Sequence, residues 1–130
     1  MERKKIKIAD ITIGDGYKIP FIAEIGVNHL GDYDRAKQMV DDAVDGGADF
    51  IKFQTYVADK RYDRKNPKYN EFTNLVKKWQ FSKNVEKDLW VYAQKKGAQV
   101  FTSVYDEESV EFANSLGTLA FKVAAFELNN

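Results

Sequence analysis

The chain has no cysteine, which excludes disulfide bridges and thiolate metal sites. It has no net charge, because twenty Lys and Arg residues balance twenty Asp and Glu residues. That removes any bulk electrostatic signature of nucleic-acid or anionic-membrane binding. No apolar run is long enough to span a bilayer. The basic start, Met1-Glu2-Arg3-Lys4-Lys5, leads into sequence broken by Lys7 and Asp10, so it carries no signal-peptide core. A cytoplasmic location is the default expectation. No Gly-x-Gly-x-x-Gly follows the first strand-like run, which weighs against a dinucleotide fold.

What remains is a chain of 130 residues, 44% apolar and 31% charged, a composition that reads as soluble and globular. Its length fits one domain with a sizeable core. Three strand-like runs each hold a single charge in otherwise apolar sequence. They are Phe21–Val27 with Glu24, Phe50–Phe53 with Lys52, and Leu119–Ala125 with Lys122. A charge is rarely buried unless it is paired or functional. Three such strands converging on one polar site, with one acid and two cations, would suit an anionic substrate.

The periodicity orders the elements. Residues 6–13 alternate weakly, Gly14-Asp15-Gly16 predicts a turn, and Tyr17 to Ile19 restart an extended segment, giving a leading β-hairpin within residues 5–20. After Gly31, Ala36, Met39, Val40, Ala43 and Val44 fall on one helical face, with Asp32 or Asp34 as cap and Gly46-Gly47 as stop. A strand over Phe50–Thr55 follows. The polar stretch from Ala58 to Tyr69 is a long loop, and long loops in compact domains are often functional. Phe72, Leu75, Val76 and Trp79 predict a short helix. Ser82 caps another, which bears Val85, Leu89, Tyr92 and Ala93 and stops at Gly97. Gln99–Val104 is a strand, Asp106 to Leu116 a helix with an acidic first turn that suits the helix dipole, and Leu119–Ala125 a fourth strand. Each αβ link repeats a helix-ending glycine, a short connection and a strand. Such βα units argue for a parallel α/β sheet with right-handed crossovers, either doubly wound or part of a (β/α)8 barrel. Strand alternation puts Lys52 and Gln54 on one face and Ile51 and Phe53 on the other. Polar side chains near strand C-termini are where barrel active sites are built.

The segments Phe21-Ile22-Ala23-Glu24-Ile25-Gly26-Val27-Asn28-His29 and Gly47-Ala48-Asp49-Phe50-Ile51-Lys52-Phe53-Gln54-Thr55 resemble the sialic acid synthase, or N-acetylneuraminate synthase, family. The resemblance runs from the leading hairpin to the last residue and implies the first half of a (β/α)8 barrel over residues 21–130. It implies condensation of phosphoenolpyruvate with an open-chain 2-acetamido sugar such as N-acetylmannosamine, giving a nine-carbon acid and phosphate. It also implies a divalent metal, manganese or magnesium, and a homodimer for the full-length enzyme. By this match Glu24 acts at the reacting carbons: it orients or deprotonates the attacking water, or contacts the sugar. Lys52 and Lys122 hold phosphoenolpyruvate, Gln54 contacts the sugar, Ser103 supplies a phosphate-binding hydroxyl, and Glu127 is a sugar-site glutamate.

Three positions depart from the family pattern. Ala125 stands where a serine would bond the phosphate, Val104 replaces a proline, and Phe126 replaces a glycine and would crowd that loop. One lost hydrogen bond to a charged group costs about 1.5–3 kcal/mol, enough to weaken phosphoenolpyruvate binding without forbidding it. A whole barrel takes roughly 250 residues. The chain is therefore expected to lack the second half of the barrel, the family's metal-binding histidines and its C-terminal antifreeze-like domain, and to be inactive alone. Plainer readings stand beside these. Glu24 and Lys52 could form a structural ion pair, the two lysines could reach solvent from strand ends, and Asn28-His29 could stabilise a turn. Other sugar acids, namely legionaminic, pseudaminic or a spore-coat acid, are alternative products. A non-catalytic half-barrel that associates through its two open edge strands is a different class of function.

Overall fold

The computed structural model describes residues 4–128, so Met1, Glu2 and Arg3 of the basic start lie outside the described residues. A short hairpin, β1 (Ile6–Ile8) and β2 (Ile11–Ile13), precedes a four-stranded sheet. The sheet holds β3 (Ile22–Gly26), β4 (Phe50–Thr55), β5 (Val100–Val104) and β6 (Phe121–Val123). Between them lie helices α1 (Tyr33–Asp45), α2 (Tyr69–Lys77), α3 (Lys83–Lys95) and α4 (Glu107–Ser115).

The sheet order is β3-β4-β5-β6 and every pairing is parallel. Chain order and sheet order coincide, with no switch point of the kind a doubly wound sheet requires. Helices α1 and α3 also share one face. Ile25, Ile51, Phe53 and Val100 point from the strands into a core with Ala36 and Val40 of α1 and Leu89, Trp90 and Ala93 of α3. One-sided cover and sequential order are the arrangement of a (β/α)8 barrel, and settle the choice left open by periodicity.

The helices begin and end as their sequences dictate. Asp32, Ser82 and Asp106 cap α1, α3 and α4 through side-chain oxygens that accept from Arg35, Val85 and Ser109 N–H. Three helices end on the same closing motif. Gly47, Gly97 and Gly117 are left-handed, with φ of 76°, 87° and 74°. The next residue's N–H reaches back to a carbonyl five residues earlier: Ala48 to Ala43, Ala98 to Ala93, Thr118 to Ala113. The repeated glycine is thus a tight αβ turn that starts the next strand at once.

Two expectations need correction. The hairpin turns at Ala9–Asp10, since Ile8 pairs with Ile11 and Ile6 with Ile13. Ala9 carries the positive φ of 49°. Gly14–Gly16 instead leads the chain out of the hairpin, with Tyr17 N–H donating to the Gly14 carbonyl, and residues 17–19 form no strand. The fourth strand is shorter than predicted: β6 covers Phe121–Val123, and Ala125–Glu127 is a 3-10 turn.

Candidate active site

The face of the sheet opposite the helices carries the polar residues, and the register fixes them in two rungs. In the first, Glu24 of β3 pairs with Lys52 of β4, which pairs with Phe101 of β5. In the second, Gln54 of β4 pairs with Ser103 of β5, which pairs with Lys122 of β6. Side chains two residues apart on a strand share a face, so one strand pattern places these five candidate positions together.

Lys52 is the hub. Its Nζ lies 2.5 Å from Glu24 Oε2 and donates to Ser103 Oγ at 2.7 Å. The Lys52 side chain is 9% exposed and that of Glu24 47%. Glu24 is therefore half open to solvent rather than buried, and Lys122 is exposed. The premise of three buried charges holds for Lys52 alone. The ion-pair reading of Glu24 and Lys52 is geometrically correct. An ion pair with one open partner is worth about 0–1 kcal/mol, too little to account for a lysine buried beneath it.

Gly26 makes room for the cluster. Its φ is +53°, and a Cβ there would lie 2.8 Å from Glu24 Oε1 and 3.0 Å from Gln54 Nε2. The register slips between Glu24 and Gly26, a bulge that turns the end of β3 beneath these two side chains. Glu127 sits in the 3-10 turn after β6, partly buried, at the same C-terminal end of the sheet. Ala125 in that turn offers no hydroxyl. Phe126 does not crowd the loop. It is 58% exposed and stacks on Tyr105, with ring centroids 5.8 Å apart.

His29 does what its turn suggested. It is buried, stacks on Phe81 at 4.2 Å, and its Nδ1 accepts from Gly31 N–H at 3.0 Å. Burial holds its pKa below the ordinary value. It is occupied structurally. No group of three or more His, Asp or Glu side chains among the described residues could hold a metal. The described residues thus supply no ligand set for the divalent ion that the resemblance implies for the full-length enzyme.

One residue at this end of the sheet escaped the sequence reading. Arg61 follows the 3-10 turn Ala58–Lys60, and its Nη2 donates to Gln54 Oε1 at 3.3 Å. Only the polarity and length of the 58–69 segment pointed toward it.

A polar cluster at the C-terminal ends of sequential parallel strands, with an excess of positive charge, lies where (β/α)8 barrels build their sites. The NeuB family pattern matches residues 39–130, and the chain belongs to that family. It is 35% identical over 123 residues to N,N'-diacetyllegionaminic acid synthase of Campylobacter jejuni, a match covering 87% of this chain and 37% of that protein. It is 35% identical over 130 residues to N-acetylneuraminate-9-phosphate synthase of Mus musculus, covering 91% of this chain and 35% of that one. The solved N-acetylneuraminic acid synthetase of Leptospira borgpetersenii, in complex with citrate, superposes with a TM-score of 0.88 at 32% identity, over 98% of this chain and 44% of that chain. The chain spans little more than a third of the length of these curated relatives. No helix among the described residues is long and apolar enough to cross a membrane.

Proposed function

We propose that the chain is the phosphoenolpyruvate-binding part of a sugar-acid synthase, and that it binds this substrate but does not turn it over alone. The observation that carries the reading is the Glu24–Lys52–Ser103 contact set with Lys122 paired beside Ser103. Two ammonium groups and a hydroxyl match a ligand that bears both a phosphate and a carboxylate. In the proposed reaction the methylene carbon of phosphoenolpyruvate bonds to the aldehyde carbon of an open-chain N-acetyl amino sugar. Positive character develops at the central carbon. Water adds there and phosphate departs, so substrate, aldehyde and water are balanced by the sugar acid and phosphate. The Glu24 carboxylate stabilises the developing positive charge and orients the water. Lys52 holds both Glu24 and the hydroxyl that meets the phosphate, so it fixes the carboxylate relative to the anion.

The acceptor is proposed only as a class, because the family includes synthases of different sugar acids. Titration of phosphoenolpyruvate into the 130-residue chain, followed calorimetrically, tests the reading. Binding is expected, and Lys52→Met is expected to weaken it at least about tenfold, the value of one hydrogen bond to a charged group. Lys122→Met is expected to weaken it less, since that side chain is exposed. Equal affinity in wild type and Lys52→Met would overturn the assignment. Release of phosphate by the chain with N-acetylmannosamine and manganese would overturn the claim that it does not act alone.

A further inference from the structure

Arg61 is placed expensively. Its Nε and Nη1 are buried without a hydrogen-bond acceptor, an unfavourable state for charged donors. Its guanidinium lies 4.2 Å from the Tyr105 ring centroid and 4.6 Å from that of Tyr56, and stacking offsets part of the cost. An apolar side chain would fill the same slot between two rings without stranding any donor. What an apolar side chain would lose is the remaining contact, Nη2–H to Gln54 Oε1 at 3.3 Å.

That contact has a chemical consequence. A guanidinium can only donate, whereas an amide has one accepting end and one donating end. With Arg61 on one side, Gln54 must present Oε1 to it. Its Nε2 must then face the other way, toward Gly26 and Glu24, where it lies 3.0 Å from the position a Gly26 Cβ would take. We infer that Arg61 is a positioning residue that fixes the Gln54 amide as a hydrogen-bond donor to the site, so that position 54 recognises an acceptor oxygen, carbonyl or hydroxyl, on the aldehyde substrate. The inference rests on the proposed function only in taking the ligand of Gln54 to be that substrate.

The surroundings hold Arg61 in register. Val57 N–H donates to Asp106 Oδ2 at 2.9 Å, and Ala58 N–H to Gln80 Oε1 at 2.8 Å, so the turn before Arg61 is tied to the cap of α4 and to the segment after α2. Tyr56 is fixed by its hydroxyl on the Val76 carbonyl at 2.9 Å. Tyr105 is fixed by its stack on Phe126. The loops after β4, β5 and β6 thus meet around one cation. The residue that sets the polarity of Gln54 is also the one that these loops clamp.

The test reads the Gln54 side chain directly. In the 15N-labelled chain, the two Nε2 protons of Gln54 are expected to resonate well apart and to exchange slowly with solvent. Arg61→Met should collapse them to free-amide positions and speed their exchange about tenfold, the factor one net hydrogen bond is worth, while the backbone spectrum stays dispersed. Arg61→Lys, which still can only donate, should keep the wild-type pattern, and it also serves if Arg61→Met does not fold. A Gln54 signature unchanged in Arg61→Met, or lost in a folded Arg61→Lys, would overturn the inference. A phosphoenolpyruvate titration in the same samples separates this from the proposed function. If the ligand moves no signal of Lys52, Ser103 or Lys122, the function fails, while the Arg61–Gln54 coupling is judged on its own signals.

Discussion

Glu86 and His29 are titratable groups withdrawn from water by elements the fold needs, and burial shifts them in opposite directions. Glu86 projects from α3 onto the hydroxyl of Thr55, which also contacts Thr102 Oγ1 at 2.9 Å. Burial raises its carboxyl from the ordinary 4.5 to about 7, against the pull of the Thr55 hydrogen bond and the Lys83 cation. The folded chain keeps a proton that the unfolded chain releases. The stability this gives is full below about pH 4.5 and is lost as the pH rises through about 7. A shift of that size corresponds to a loss on the order of 3 kcal/mol. His29 is depressed by burial, so its contribution is present above the ordinary 6.5 and is lost as the pH falls through its lowered value. Urea unfolding at pH 5 and pH 8 separates the two. Glu86→Gln should raise stability relative to wild type at pH 8 by about 2–3 kcal/mol and much less at pH 5. His29→Gln should flatten the acid limb only. Parallel pH profiles for wild type and Glu86→Gln would show that the carboxylate is not carried neutral. The sequence did not reveal Glu86, because an exposed-looking acid in the first turn of a helix has the same pattern whether or not a threonine of the sheet waits beneath it. Lys52 was legible for the opposite reason: a lone charge between Ile51 and Phe53 has only one face left to occupy.

At the scale of elements, the glycines divide into those that only need a left-handed backbone and those that also need space. Gly97 has φ +87°, and a Cβ there would meet nothing within 4 Å. Gly31 has φ +82°, and its Cβ would lie 2.6 Å from the Lys78 carbonyl. Gly97→Ala should therefore cost only the conformational term, about 1–2 kcal/mol. Gly31→Ala must also move the turn after β3 away from the end of α2 and should cost roughly twice as much or more. Thermal unfolding of the two variants checks the order, and equal losses would mean that the β3–α1 turn yields freely. The same distinction explains what could be read in advance. Helix-ending glycines followed at once by apolar strands made the βα repeat, its parallel sense and the strand Phe50–Thr55 legible. The hairpin turn was not, because Ala9 adopts the positive φ that the glycines at 14 and 16 advertised. Sheet order was not either, since periodicity fits both open and barrel arrangements until the strands are seen in chain order with α1 and α3 on one face. Arg61 was hidden for a related reason. Its partners Tyr56, Gln54 and Tyr105 come together only when β4 and β5 are side by side.

At the scale of the whole molecule, a sheet with helices on one side leaves two strand edges and one face to account for. The outer edges belong to β3 and β6, each with a single strand partner among the described residues. Apolar side chains gather there: Ile22 is 46% exposed on β3, and beside or beyond β6 Val123, Phe126 and Leu128 are 55%, 58% and 71% exposed. Unpaired backbone donors and acceptors next to exposed apolar side chains form a template for another strand. Neither β3 nor β6 carries a proline to blunt it. The 130-residue chain is therefore expected to self-associate through these edges, with a sedimentation coefficient that rises with concentration. Val123→Lys places a charge on the β6 edge without touching Lys52, Glu24 or Ser103, and should shift the association to higher concentration. Because the proposed phosphoenolpyruvate site lies on the face of the sheet rather than on the edge, the same substitution should leave the affinity for that ligand within about twofold, a difference of less than 1 kcal/mol. A wild-type chain that sediments as one monomeric species across the concentration range would show that the edges are protected by the twist and shortness of β3 and β6, and would remove association as a role for this half-barrel.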